Sequence, residues 1–139
     1  MSTAGKRILV VEDDDDSRST LCTMLEALGH TFMAFGSPTE AAEQLATMQC
    51  DLALLDIMMP EMNGFELLEK IKQVSHLASI PVIMVTAKDK DDDDLEGYQT
   101  GADYYITKPY TTEQIKYGIQ LFVGEEGDTE DDQSGTSSS

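Results

Sequence analysis

The sequence predicts an open α/β fold: a doubly wound, five-stranded parallel sheet with helices on both faces. Three observations carry this. Short apolar, β-rich runs alternate five times with longer stretches of helical period, which is the pattern of parallel strands joined by crossover helices. Three of the runs are apolar throughout, as central strands covered on both sides must be. At 139 residues and 40% hydrophobic composition, the chain is the size of one domain with a real core.

The first strand is placed at residues 8–11 (ILVV), and the helix after it is marked by Leu21, Leu25 and Leu28, with Asp16 or Ser17 as its N-cap and Gly29 as its stop. Residues 31–35 (TFMAF) make a second strand whose mixed composition suits an edge. Ser37-Pro38-Thr39-Glu40 supplies an N-cap, a proline at the first helical position and a capping-box glutamate, opening a helix that buries Ala41, Leu45 and Met48. The third strand, 52–55, is wholly apolar, and Phe65, Leu68 and Ile71 mark a third helix after Asn63-Gly64. The fourth strand, 81–85, is followed by a weakly apolar helix near 91–98 that begins in the solvated acidic run 89–94. The fifth strand, 104–107, belongs near an edge. Thr111 with Gln114 caps a last helix whose inner face is Ile115, Ile119 and Phe122, with Lys116 and Tyr117 outward and Gly118 open to close approach by a partner.

Composition excludes several classes of function. Nine basic residues against 27 acidic give −18 at pH 7, so phosphate backbones and anionic membrane surfaces are repelled; neither nucleic acid nor membrane is an expected partner. Six of the acids lie beyond residue 123 in a Gly/Ser/Thr-rich stretch, which leaves −12 for the rest. Residues 1–123 are therefore taken as the domain, and 124–139 as a disordered tail or linker. No apolar run approaches the roughly 18 residues of a membrane span, and the N-terminus lacks a signal-peptide pattern, so a cytoplasmic protein is expected. Cys22 and Cys50 make no disulfide framework and are expected as buried small hydrophobes, while His30 and His76 are expected at the surface.

In such a sheet, ligands bind outside the carboxyl ends of the strands. Those ends deliver Glu12 and Asp13, Asp56, Thr86, and Lys108 beside Pro109. Two carboxylates about 4 Å apart repel by roughly 4 kcal/mol at an effective dielectric near 20. A hard divalent cation such as Mg²⁺ relieves this, and one carboxylate then becomes a nucleophile toward phosphorus while Lys108 and Thr86 receive the phosphoryl oxygens. The plainer readings are an Asp56 that caps a loop, a surface Lys108 and a solvated run at Asp14–Asp16; for that run the plain reading is adopted.

Residues 8–13 (ILVVED), 54–64 (LLDIMMPEMNG), 85–87 (VTA) and 101–110 (GADYYITKPY) together resemble the response-regulator receiver domains of two-component signalling. The resemblance covers about residues 6–123, in order. It implies a flavodoxin-like sheet of strand order 2-1-3-4-5 and names Asp56 as the phosphoacceptor. Asp13 would meet Mg²⁺ (or Mn²⁺) directly and Glu12 through water, with the backbone carbonyl of Met58 as a further ligand. Thr86 and Lys108 would hold the phosphoryl oxygens, and Tyr105 would be the switch aromatic, with plain core as its alternative. A cis Lys108–Pro109 bond is implied as well.

Met58 and Lys88, two positions beyond Asp56 and Thr86, would tune the phosphate's lifetime. An apolar Met58 positions no attacking water, so slow self-dephosphorylation is expected. The implied partners are a histidine kinase or phosphotransfer protein as donor and a downstream protein target met through the last strand and flanking helices, with dimerisation on phosphorylation an option. The chain is either a stand-alone receiver or one excised from a longer protein, and no catalysis beyond its own phosphorylation and dephosphorylation is expected. The alternatives are a pseudo-receiver that binds without phosphorylation and a Mg²⁺-dependent aspartyl phosphatase. Met58, standing where such phosphatases place a second aspartate, argues against the latter.

Overall fold

The computed structural model describes residues 5–87 and 102–123. Lys88, the helix expected near 91–98 and the tail 124–139 lie outside them. Five strands, β1 (Arg7–Val11), β2 (Thr31–Phe35), β3 (Leu52–Asp56), β4 (Val82–Ala87) and β5 (Tyr104–Lys108), form one parallel sheet in the order β2-β1-β3-β4-β5. The two strands of mixed composition are its edges. Four helices, numbered among the described elements, are α1 (Asp15–Ala27), α2 (Pro38–Gln44), α3 (Gly64–Lys72) and α4 (Thr112–Val123).

The side-chain period of two divides the core into two layers. Ile8, Val10, Leu52, Leu54 and Ile83 pack with Leu21 and Leu25 of α1 and Ile115 and Ile119 of α4. Leu9, Val11, Ala53, Leu55, Val82 and Met84 face the other way, onto Ala41 of α2 and Phe65, Leu68 and Ile71 of α3. Both faces of β1 and β3 are buried, which is why their sequences carry no alternation. Each fully buried Leu or Ile contributes roughly 1.5–3 kcal/mol of transfer free energy, so this double layer is the main source of stability.

Helix starts follow local chemistry. The Ser37 hydroxyl accepts from the Glu40 N–H (3.2 Å) ahead of Pro38, and a 3-10 turn at Leu45–Thr47 carries the chain on to buried Met48. Thr111 and Gln114 cap each other: the Gln114 N–H donates to Thr111 Oγ1 (3.2 Å) and the Thr111 N–H to Gln114 Oε1 (2.8 Å). Asn63 and Glu66 form the same reciprocal box on α3.

Several expectations require correction. The N-cap of α1 is Asp14, not Asp16 or Ser17: Asp14 keeps an extended backbone and its carboxylate accepts from the Ser17 N–H (2.8 Å). Phe122 is 37% exposed, because the end of α4 has reached Tyr104, the first residue of β5, and the sheet goes no further; the two rings meet edge-on at 6.2 Å. Gly118 faces the sheet rather than a partner, since a Cβ there would stand 3.3 Å from Ile106 Cδ1. His30 is half-buried, its Nδ1 accepting from the Lys6 N–H (3.0 Å), and Cys22 is half-buried too, whereas Cys50 is buried and His76 exposed as expected. Lys116 and Tyr117 do point outward. Among the described residues, no helix is long and apolar enough to cross a membrane.

Candidate functional site

The carboxyl ends of β1, β3, β4 and β5 bring Glu12, Asp13, Asp56, Thr86 and Lys108 to one edge of the sheet. Parallel register sets their spacing: Val11 lies beside Leu55, Asp56 beside Val85, Thr86 beside Thr107 and Ala87 beside Lys108. Glu12 follows β1 directly, and its N–H donates to the Phe35 carbonyl at the end of β2 (3.1 Å). Among the described residues, Glu12 (3% exposed), Asp56 (7%) and Thr86 (2%) are the buried polar ones, while Asp13 is exposed.

From the edge strand, the Lys108 ammonium reaches back over the sheet to donate to Glu12 Oε1 at 2.9 Å and lies 3.7 Å from Asp56 Oδ1. The other Glu12 oxygen accepts from the Asp14 N–H (3.1 Å). Burial works against the charge on Lys108, but the hydrogen bond it donates to Glu12 and the charges of Asp56 and Glu12 outweigh it, and the ammonium is held above its usual range. Asp56 is pushed up to about 7, first by burial and then by the Glu12 charge, with Lys108 only partly offsetting both. One ammonium cannot satisfy three carboxylates. Ligand oxygens of Glu12, Asp13 and Asp56 lie within 4.8 Å of one another, and an all-oxygen set with one exposed member suits a hard divalent cation that keeps some of its water.

The loop leaving Asp56 turns sharply. The Met62 N–H donates to the Pro60 carbonyl (2.7 Å) around Glu61, whose φ of 74° is left-handed, and the Thr39 hydroxyl of α2 donates to the Glu61 carboxylate (3.0 Å). The chain then doubles back so closely that a Cβ on Gly64 would lie 2.5 Å from the Asp56 carbonyl oxygen. Met58 is 50% exposed on this loop, and with Met59, Met62, Glu61 and Glu66 it lines a shallow cavity. Tyr105 is half-buried on the Met84 side of the sheet, its ring 6.4 Å from that of Phe65. The Lys108–Pro109 bond is cis.

Sequence reasoning missed three residues here. Asp14 holds Glu12 as well as capping α1. Arg18 donates from Nη1 to the Glu12 carbonyl (3.0 Å). Tyr110 stands close enough that, after burial, the Glu12 charge is the main influence pushing its hydroxyl up. Only Tyr110 carried a signal, by following Lys108-Pro109 directly.

Comparison with known proteins agrees with this geometry. The family model for the response regulator receiver domain matches residues 8–120. The phosphate regulon transcriptional regulatory protein PhoB of Escherichia coli K12 is 38% identical over 119 residues, which is 86% of this chain and 52% of PhoB. The chain thus spans about half the length of the curated relatives it matches. Among solved structures, a CheY-like receiver domain protein from Methanospirillum hungatei JF-1 is 30% identical with a TM-score of 0.74, over 85% of this chain and 93% of that one. The receiver domain of a Pseudomonas aeruginosa PAO1 sensor histidine kinase, crystallised with magnesium in its active-site cleft, shares the fold at a TM-score of 0.79 and 24% identity, over 88% of this chain and all of its own. By the span of the family match and by the residues gathered at the strand ends, this chain belongs to the response-regulator receiver domain family of two-component signalling.

Proposed function

We propose that this chain is a phosphorylation-dependent switch whose Asp56 accepts a phosphoryl group from a histidine kinase or a phosphotransfer protein. Phosphorylation and Mg²⁺ binding are characteristic of the family, and receiver domains in general work between histidine kinases and downstream effectors. The observation that carries the reading to Asp56 is its place as a nearly buried carboxylate at a strand end, between the Glu12 carboxylate and the Lys108 ammonium.

Glu12, Asp13, Asp56 and the Met58 carbonyl would hold the divalent cation, which supplies charge neutralisation for an incoming phosphoryl group. An ionised Asp56 oxygen attacks phosphorus and the donor's phosphorus bond breaks, leaving an aspartyl phosphate. Lys108 and Thr86 take the phosphoryl oxygens by ion pair and hydrogen bond. Thr86 and Tyr105 lie toward the same sheet face on neighbouring strands, two register positions apart, so a shift of Thr86 changes the space available to the Tyr105 ring. That coupling would pass the signal to the surface of β5 and α4, where a target protein or a second copy docks. Exposed Met58 offers no hydrogen bond to an attacking water, and Lys88 is assigned with it to setting the phosphate's lifetime. The functional unit is taken as residues 1–123, with 124–139 beyond it on composition.

Intact mass after incubation with acetyl phosphate and Mg²⁺ tests this. Wild type should gain one phosphoryl group and Asp56→Asn none. A wild-type chain that gains nothing would instead be a pseudo-receiver, and sustained release of inorganic phosphate would mark an aspartyl phosphatase.

A further inference from the structure

We propose that Arg18 is a positioning residue for the acidic cation pocket, acting through the backbone of Glu12. Arg18 projects from the first turns of α1, and its guanidinium is used on two sides: Nη1 donates to the Glu12 carbonyl at 3.0 Å and Nη2 to the Asp15 carboxylate at 2.6 Å. The planar fork presents both donors at once, which an ammonium on a flexible stem does not. The Glu12 carbonyl belongs to the same rigid peptide plane as the Asp13 N–H. Fixing that oxygen therefore fixes the direction in which Asp13 leaves the sheet. The preceding peptide is already fixed by the Glu12 N–H bond to Phe35. Both planes flanking Glu12 are thus anchored, one to β2 and one to α1, and this holds Asp13, the exposed member of the trio, within reach of buried Glu12 and Asp56.

A second feature belongs to the same device. Gly36, directly after β2, leaves the corridor through which the guanidinium passes: a Cβ there would stand 2.7 Å from Arg18 Nη1 and 3.2 Å from Cζ. Its φ is not left-handed, so the missing side chain answers to the arginine rather than to backbone strain. Charge alone would give Arg18 the opposite effect, because a guanidinium near a cation pocket repels the cation. Removing it should tighten Mg²⁺ binding if charge governs and weaken it if placement governs.

The inference rests on the cation pocket of the proposed function, and the test separates the two. Mg²⁺ affinity is measured by isothermal titration calorimetry on the full chain, with circular dichroism and thermal melts to show that each variant is folded. Arg18→Met should weaken Mg²⁺ binding about tenfold, the scale seen when groups behind metal ligands are lost. Arg18→Lys should recover part of that loss. Gly36→Ala should weaken binding in the wild-type background and change nothing when Arg18 is already Met. Unchanged or tighter binding by folded Arg18→Met overturns the positioning role while leaving the pocket standing, as does a Gly36→Ala effect that persists without Arg18. A wild-type chain with no saturable Mg²⁺ signal overturns both the pocket and the inference.

Discussion

At the scale of single residues, Asp56 is a carboxylate whose surroundings oppose its charge, which gives the fold a definite response to pH. Its folded value of about 7 lies above the ordinary 3.8. Between those values the folded chain keeps a proton that the unfolded chain has released, so without divalent cation its contribution to stability falls as pH rises through that window. Below the window the contribution is intact, and above it the loss is complete. Asp56→Asn removes this dependence. In thermal melts with a chelator, the variant should gain on wild type from about pH 5 to about pH 7 and level off above that, and a constant difference across the range would contradict the assignment. The identities of Asp56, Glu12, Thr86 and Lys108 were legible because each follows an apolar run at a fixed distance. The roles of Asp14 and Asp15 were not legible. Both stand in a run of carboxylates that look alike locally, and only the start of α1 and the tie to Arg18 make Asp14 the helix cap and Asp15 the guanidinium partner.

At the scale of elements, the join between β3 and α3 carries most of the site's precision. Asn63 and Glu66 satisfy the first turn of α3 reciprocally, and Gly64 lets that turn sit against the Asp56 carbonyl. Asn63→Ala should cost about 1 kcal/mol in urea unfolding, the usual worth of an N-cap. Gly64→Ala should cost more, about 1–3 kcal/mol, because backbone must move to admit the methyl group. It should also slow phosphorylation of Asp56 by acetyl phosphate, which Asn63→Ala should do far less. The cap at Ser37 and the box at Thr111 could be read from the sequence because the partners lie three residues apart; at Ser37 the structure shows the hydroxyl bond to the Glu40 N–H. The one at Asn63 has the same spacing and went unread beside the more conspicuous Asn63-Gly64 pair. Phe122 shows the limit of periodicity: the helical repeat points it inward, but the repeat cannot say where the sheet beneath it ends.

At the scale of the whole molecule, the controlling quantity is the excess of negative charge, −18 over the full chain, focused where three carboxylates meet. An ion bound only by the folded pocket stabilises by mass action, about 2.7 kcal/mol at a hundred times its dissociation constant. For a chain of this size that corresponds to a rise in melting temperature on the order of 10 °C. Mg²⁺ should produce it, NaCl at matched ionic strength should give a small fraction, and Glu12→Gln should blunt the Mg²⁺ effect. Equal shifts from both salts would indicate general screening instead of a pocket. The parallel five-stranded sheet was legible at this scale because strands buried on both faces cannot hide their apolar runs. The reach of Lys108 from one edge strand past two others to Glu12 was not, since no local pattern records a contact 96 positions apart. That reach makes the lysine a tethered counter-ion. A free divalent ion would meet a competitor that never diffuses away, so occupancy would have a built-in threshold, and the ammonium that resists loading is also the one the proposed function assigns to the phosphoryl oxygens.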